Sequence, residues 1–123
     1  MTQSTPHQAV PDRLQSLDEL ALALRRFAAE RDWEAYHTPK NLAAALIVEA
    51  AELLEHFQWL TPEESGRMEP ESRAAVALEM ADVLIYLTRL ADRMGIDLLE
   101  AAGAKMALNA VKYPPPHPEP EHG

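Results

Sequence analysis

Apolar residues recur at helical spacing along most of the chain, and capping signals divide the pattern into segments. Ser16 and Glu19 form an S-x-x-E capping box in front of the first apolar run. Thr38 and Pro39 supply a hydroxyl N-cap followed by proline at the first helical position, which is typical of a helix start. The whole pattern predicts helices over residues 17 to about 33–36, 39 to about 59, 62–65, 70–94 and 98 to about 112.

Composition favours an all-α fold. Glycine is rare, at 4 of 123 residues, and strong helix formers dominate the chain. Of the 10 prolines, five follow Tyr113 and two precede residue 12, so the two ends differ from the helical middle. We expect an antiparallel four-helix bundle over residues 16–113, with a flexible arm over 1–15 and a disordered proline-rich tail over 114–123.

The charge balance narrows the classes of partner. With 20 acidic and 11 basic residues the net charge is −9, which argues against binding to nucleic acid polymers or anionic membranes. The absence of cysteine excludes disulfides, thiolate metal sites and cysteine nucleophiles. The N-terminal residues do not have the pattern of a signal peptide, and no apolar run has the length of a membrane span, so we expect a cytoplasmic protein.

Two of the predicted helices place pairs of carboxylates beside their apolar stripes. At about 100° per residue, Glu49 falls inside the stripe of the second helix and Glu52 falls at its edge. On the long helix Glu79 and Asp82 flank the stripe, and Tyr86 lies between them. A buried carboxylate without a partner is costly, so something positive should face these acids.

Four inward carboxylates suit a hard, oxygen-seeking cation, chiefly Mg²⁺ with Mn²⁺ as a substitute. Mg²⁺ prefers to bind together with substrate phosphates. Lys105, Asn109 and Lys112 share one face of the last helix, where the lysines suit phosphate oxygens. The residues alone therefore indicate a metal-dependent site for a phosphorylated ligand.

Each of these features also has a purely structural interpretation. Acid pairs on helices are often solvated, or they form salt bridges with arginines of the same chain, here Arg73, Arg89 or Arg93. Trp33 and Trp59 can equally be core residues, and His37 can be a capping or surface histidine.

Three segments carry ordered motifs: WEAYHTPKNLAAALIVEAAELLEHFQWL over residues 33–60, EMADVLIYL over 79–87, and KMALNAVKYP over 105–114. They contain W-x₃-H-x₃-N-L, E-x-x-E-L-x-E-x-F-Q-W, E-x-x-D-V-x-x-Y and K-x₃-N-x₂-K-Y-P. In this order the motifs resemble the all-α nucleoside triphosphate pyrophosphohydrolases, the MazG-like group, and especially its dCTP pyrophosphatase branch. The resemblance extends over about residues 17–114.

The resemblance implies a four-helix unit that assembles into homodimers or homotetramers with sites between subunits. It implies cleavage of a nucleoside triphosphate between the α- and β-phosphates, giving a monophosphate and pyrophosphate. dCTP or a modified dCTP is the expected substrate, in a house-cleaning role for the nucleotide pool. A broader-specificity or dUTP-directed pyrophosphatase of the same fold remains an alternative.

The resemblance also implies residue roles. The Mg²⁺-binding acids are Glu49, Glu52, Glu79 and Asp82. One of the first two, Glu49 or Glu52, would also orient or deprotonate the attacking water. The implied phosphate contacts are Lys105, Lys112, Tyr86 and Asn109. The implied base-pocket residues are Trp33, His37, Trp59 and Tyr113.

Two alternatives belong to other classes of protein. A non-catalytic helical module, binding a nucleotide or a protein, is suggested by a second apolar face of the long helix at Leu78 and Ile85, which we interpret instead as a homodimer interface. A dinuclear iron bundle would need E-x-x-H pairs on its acid-bearing helices. The two E-x-x-H pairs of this chain, at 34–37 and 119–122, lie elsewhere, which argues against iron.

Overall fold

The computed structural model of the chain describes residues 13–116. Its helices are α1 (Leu17–Glu30), α2 (Pro39–Glu55), α3 (Pro62–Ser65), α4 (Pro70–Met94) and α5 (Leu98–Lys112). Every regular element in this range is helical, so the all-α prediction is confirmed. Most of the predicted arm and tail, at 1–12 and 117–123, lies outside the described residues.

Helix α4 is the centre of the fold, and α1 and α2 both pack against it. The apolar stripes predicted from the sequence supply the contacts, and the buried apolar positions are Leu20, Ala28, Leu42, Val76 and Ala91. Two polar residues of α4 are buried with them, Thr88 and Arg89. This packing brings the acid-bearing sides of α2 and α4 together, and it places α1 across the neighbouring part of α4.

Helix α1 ends earlier than the sequence pattern predicted. It stops at Glu30, and Asp32 takes the left-handed conformation with a φ of 56°. The amide of Trp33 donates to the carbonyl oxygen of Ala28 at 2.9 Å, which completes a Schellman-type stop. Because the left-handed position holds aspartate rather than glycine, the usual stop signal is absent from the sequence.

Helix α2 also ends earlier than predicted, at Glu55 rather than near Trp59. The chain continues in hydrogen-bonded turns, and the amide of Phe57 donates to the carbonyl oxygen of Leu54 at 2.8 Å. No glycine or proline marks this boundary, so the local sequence encodes it only weakly.

Helix α5 has the predicted bounds but contributes little to the packed core. Asp97 caps it by accepting from the amide of Glu100. All its residues are exposed except the half-buried Leu98 and Asn109. Its large apolar side chains are 65–83% exposed, at Leu99, Met106, Leu108 and Val111. Within one chain, then, three long helices pack together and the fourth presents an apolar surface.

The two residues of the predicted second apolar face of α4 have different surroundings in the structure. Leu78 is 71% exposed, whereas Ile85 is half-buried and lines a cavity against α1.

None of the helices within residues 13–116 combines the length and apolarity that crossing a bilayer requires.

Candidate active site

The acids predicted from the two helix faces meet where α2 packs on α4. One carboxylate oxygen from each of Glu49, Glu79 and Asp82 lies within 4.8 Å of the others. All three residues are half-buried. Like charges this close repel each other strongly unless a proton or a cation lies among them.

Glu52 belongs to the same group of acids, one turn along α2 from Glu49. Burial, together with hydrogen bonding to Glu52 and the negative charges of Glu52, Asp82 and Glu79, raises the pKa of Glu49 from 4.5 to about 7. The sequence places these acids beside the apolar stripes of α2 and α4, and the structure brings Glu49, Glu79 and Asp82 together with Glu52 next to Glu49.

The alternative of structural salt bridges does not account for this cluster. Arg89 and Arg93 bind Glu34, and Arg89 also contacts Asp92. No ion pair between an arginine and the four acids occurs within residues 13–116. Among residues 13–116, the basic side chain that contacts the cluster is His56, whose Nε2 lies 3.8 Å from Oε1 of Glu79.

Two oxygens of the cluster indicate that the site suits a metal. Oε2 of Glu49 and Oε2 of Glu79 are buried and have no hydrogen-bond partner within the described residues. Carboxylate oxygens that lack donors are the ligands that Mg²⁺ and Mn²⁺ prefer. The donor set of Glu49, Glu79 and Asp82, with Glu52 beside it, therefore fits a divalent cation.

A largely apolar cavity of about 280 Å³ lies beside this cluster, between α1 and α4. Its polar or aromatic lining comes from Phe27, Trp33, His37, Tyr86 and Arg89. Trp33 packs edge-on against Phe27 and lies 5.7 Å from the ring centre of His37. A cavity lined by apolar side chains and several aromatic rings suits a flat aromatic ligand such as a nucleobase.

Tyr86 connects the cavity with the acid cluster. It lines the cavity, and burial together with the negative charges of Glu49, Asp82 and Glu52 raises the pKa of its hydroxyl. Tyr86 therefore lies in the cavity wall and within the electrostatic influence of the acids.

The least expected feature of the site is the buried guanidinium of Arg89. Its side chain is only 3% exposed. Its Nε donates to Nδ1 of His37 at 3.1 Å, its Nη2 to Glu34 at 3.1 Å, and its Nη1 to Asp92 at 3.4 Å. Arg25 binds the same Asp92 carboxylate with two donors, which together with Arg89 holds the pKa of Asp92 below its usual value.

From the sequence, Arg89 is predicted only as a possible salt-bridge partner for the acids. Nothing in the local sequence shows that a helix-borne arginine reaches a histidine 52 positions away. The contact of Arg89 with Asp92, at i, i+3 spacing, is the only one of these three that lies within a single helix. Glu34 binds two arginines and His37 accepts from one, so this E-x-x-H pair does not form a metal site, which weakens the iron alternative further.

The remaining predicted residues are not gathered at this site within one chain. Trp59 is 86% exposed and does not line the cavity. Lys105, Lys112 and Asn109 lie on α5, outside the packed core. Tyr113 is 66% exposed, and Nζ of Lys112 lies 5.3 Å from its ring centre.

One cavity residue comes from the segment predicted as a flexible arm. Leu14 precedes α1, yet it lines the cavity together with Leu20, Leu24 and Phe27 of that helix. These three residues recur at the apolar helical spacing that predicts α1, and the structure shows that they also form a cavity wall.

The fold and site define a class: an all-α protein with a carboxylate cluster next to an aromatic cavity. The MazG-like family model matches residues 45–120, and the chain belongs to this family. The resemblance found in the motifs is therefore confirmed.

Relatives of known name and structure agree with this placement. dCTP pyrophosphatase 1 of Bos taurus is 46% identical over 101 residues, which cover 80% of this chain and 60% of that protein. A dATP/dGTP diphosphohydrolase of Cyanophage S-2L is 44% identical over 50 residues, covering 41% of this chain and 48% of that protein. The chain thus spans about 60% of the length of the bovine relative.

A solved structure of a pyrophosphatase from Archaeoglobus fulgidus DSM 4304 has the same fold. It matches with a TM-score of 0.77 at 42% sequence identity, covering 86% of this chain and 99% of that chain. The similarity includes the helices that carry both the acids and the cavity.

Proposed function

We propose that the chain is an Mg²⁺-dependent nucleoside triphosphate pyrophosphohydrolase. It adds water across the bond between the α- and β-phosphates and releases a nucleoside monophosphate and pyrophosphate. The substrate is dCTP or a modified dCTP, and the role is to clear such nucleotides from the pool. That role places the protein in the cytoplasm.

One observation supports this proposal above the others: a carboxylate cluster adjoins an aromatic cavity, and Tyr86 lies between them. A nucleotide has a flat base at one end and a metal-binding phosphate chain at the other. The named relatives are enzymes that act on deoxynucleoside triphosphates, which supports the same substrate class.

The acids have distinct tasks in this proposal. Glu79 and Asp82 of α4 would hold Mg²⁺ together with Glu49 of α2. Glu52, which adjoins Glu49, would complete the ligand set. One of the α2 acids also orients or deprotonates the attacking water. When bound, Mg²⁺ screens the negative charge of the triphosphate and of the transferring phosphoryl group. This screening lets a protein with a net charge of −9 accept an anionic substrate.

A second copy of the chain completes the site. Lys105, Asn109 and Lys112 are proposed phosphate ligands, yet α5 lies outside the core of its own chain. The exposed apolar side chains of α5 and Leu78 give the surface that a homodimer or homotetramer would bury. Trp59 and Tyr113, both exposed, would reach the base pocket from such an assembly.

The base preference is the part of the proposal for which an alternative hypothesis has support. Stacking on Trp33 holds any base, since every base has a π-face. A dUTP-directed or broader pyrophosphatase would use the same acids, and the phage relative is named for dATP and dGTP. The similarity to dCTP pyrophosphatase 1 over 80% of the chain favours cytosine.

The test is pyrophosphate release from a panel of dNTPs and NTPs, each with Mg²⁺ and then with EDTA. We expect metal-dependent release led by dCTP or 5-substituted dCTP. Glu49→Gln should lose nearly all of it, while the matched exposed variant Glu55→Gln keeps it. Release spread over many bases would remove the cytosine assignment, and no release from any nucleotide would leave the helical binding module as the better interpretation.

A further inference from the structure

His37 lies in the cavity wall, and one of its ring nitrogens already accepts a hydrogen bond from the protein. Its Nδ1 accepts from Nε of Arg89 at 3.1 Å, and the arginine side chain is 3% exposed. A guanidinium has donors only and stays protonated in proteins, so Nδ1 must be an unprotonated acceptor. The hydrogen of the neutral ring therefore lies on Nε2.

The surroundings keep this ring neutral. Burial, and then the positive charge of Arg89, lower the pKa of His37, while the charge of Glu34 acts in the opposite direction. Glu34 and Asp92 neutralise the charge of the Arg89 guanidinium and hold it in position, so its hydrogen bond to His37 forms without a ligand. No group within residues 13–116 hydrogen-bonds to Nε2 of His37, which leaves that N–H for a molecule in the cavity.

We infer that Arg89 is a specificity-determining positioning residue: it fixes His37 as an Nε2–H donor, which selects a base whose Watson–Crick ring nitrogen is an acceptor. Cytosine has such an acceptor at N3. Uracil and thymine carry a hydrogen at N3, so two N–H groups would meet. The inference rests on the proposed function and adds to it the element that separates dCTP from dUTP.

The chemistry of unpaired donors sets the size of the effect. When a site built around a donor meets a second donor, both groups lose their hydrogen bonds to water and gain none. Such a mismatch weakens binding of the wrong base by at least about tenfold. The hydrophobic contacts of Trp33 and Phe27 do not distinguish cytosine from uracil in this way. Each nitrogen of the Arg89 guanidinium already donates to His37, Glu34 or Asp92, so we expect its loss to change selectivity through His37 more than turnover.

The first measurement is the tautomer of His37 in the full chain at pH 7. Long-range ¹H–¹⁵N correlation spectra of histidine-labelled protein report which ring nitrogen carries hydrogen, and a His37→Gln variant identifies the signal. We expect Nδ1 unprotonated and Nε2 protonated. The opposite tautomer, or a doubly protonated ring, would overturn the inference whether or not the protein hydrolyses nucleotides.

The same spectra test recognition without catalysis. Addition of dCMP should shift the Nε2–H signal, and dUMP at the same concentration should shift it far less. Equal shifts with the two monophosphates, or none with dCMP in a protein that hydrolyses dCTP, would show that His37 does not select the base.

The kinetic test compares Arg89→Met with Arg93→Met. Arg93 binds the same Glu34 but does not hydrogen-bond to His37, so it serves as the matched control. In Arg89→Met the ratio of kcat/KM for dCTP over dUTP should fall by about tenfold or more, mainly through the KM for dCTP. A ratio unchanged from wild type in a folded, active Arg89→Met protein would refute the role.

Discussion

The acid cluster should destabilise the metal-free protein, and Glu49→Gln measures by how much. Ionised Glu49 is disfavoured in the folded state, where burial and its acidic neighbours raise its pKa from 4.5 to about 7. Between these values the folded state binds more protons than the unfolded chain. Stability of the metal-free protein therefore falls as the pH rises from about 4.5 to about 7.

The magnitude follows from the same pKa. At a pH well above 7 the ionised group costs at most roughly 3–4 kcal/mol, because each pKa unit corresponds to about 1.36 kcal/mol. Glu49 is half-buried, so solvent screening reduces this to roughly 1–2 kcal/mol. Glutamine in its place removes the charge and should raise the melting temperature at pH 8 by roughly 5–10 °C.

The assay is thermal unfolding by circular dichroism at fixed protein concentration, in EDTA at pH 8 and pH 5, for wild type, Glu49→Gln and Glu55→Gln. The gain of Glu49→Gln should be large at pH 8 and small at pH 5, and exposed Glu55→Gln should show neither. Mg²⁺ should raise the melting temperature of wild type but not of Glu49→Gln. A Glu49→Gln protein no more stable than Glu55→Gln at pH 8 would refute the reasoning.

Three further predictions concern other parts of the chain. Trp33→Ala should raise the KM for dCTP by about tenfold or more through lost stacking, measured by steady-state kinetics, and a KM within about twofold of wild type would contradict its place in the pocket. Lys105→Ala should lower kcat/KM while leaving Mg²⁺ affinity by calorimetry unchanged, whereas a loss of Mg²⁺ binding would place Lys105 in a different role. Asp32→Val should lose about 1–2 kcal/mol in urea unfolding because a β-branched residue resists a φ of 56°, while Asp32→Gly should stay within about 0.5 kcal/mol, and equal losses would exclude backbone conformation as the cause.

Much of the fold could be predicted from the sequence because its signals are local. Thr38 and Thr61 cap the helices they were expected to cap, and Gly95 takes the left-handed position after α4. The four acids could be placed beside the apolar stripes of α2 and α4 because helical periodicity determines which side of its own helix a residue occupies.

Other features depend on contacts that no local pattern records. Helix α1 ends with Asp32 in a conformation usually taken by glycine, so the sequence pattern predicted a helix end several residues too late. The contact between Arg89 and His37 joins α4 to the loop after α1 and exists only once the helices pack. The exposure of α5 could not be predicted either, because apolar spacing does not tell whether the surface that covers a helix belongs to the same chain.

The most direct test of the central claim is the identity of the products from dCTP with Mg²⁺, followed by ³¹P NMR in wild type and Glu49→Gln. The account predicts dCMP and pyrophosphate from wild type, none when EDTA removes the metal, and little from Glu49→Gln. Formation of dCDP and orthophosphate, or equal rates in wild type and Glu49→Gln, would contradict it.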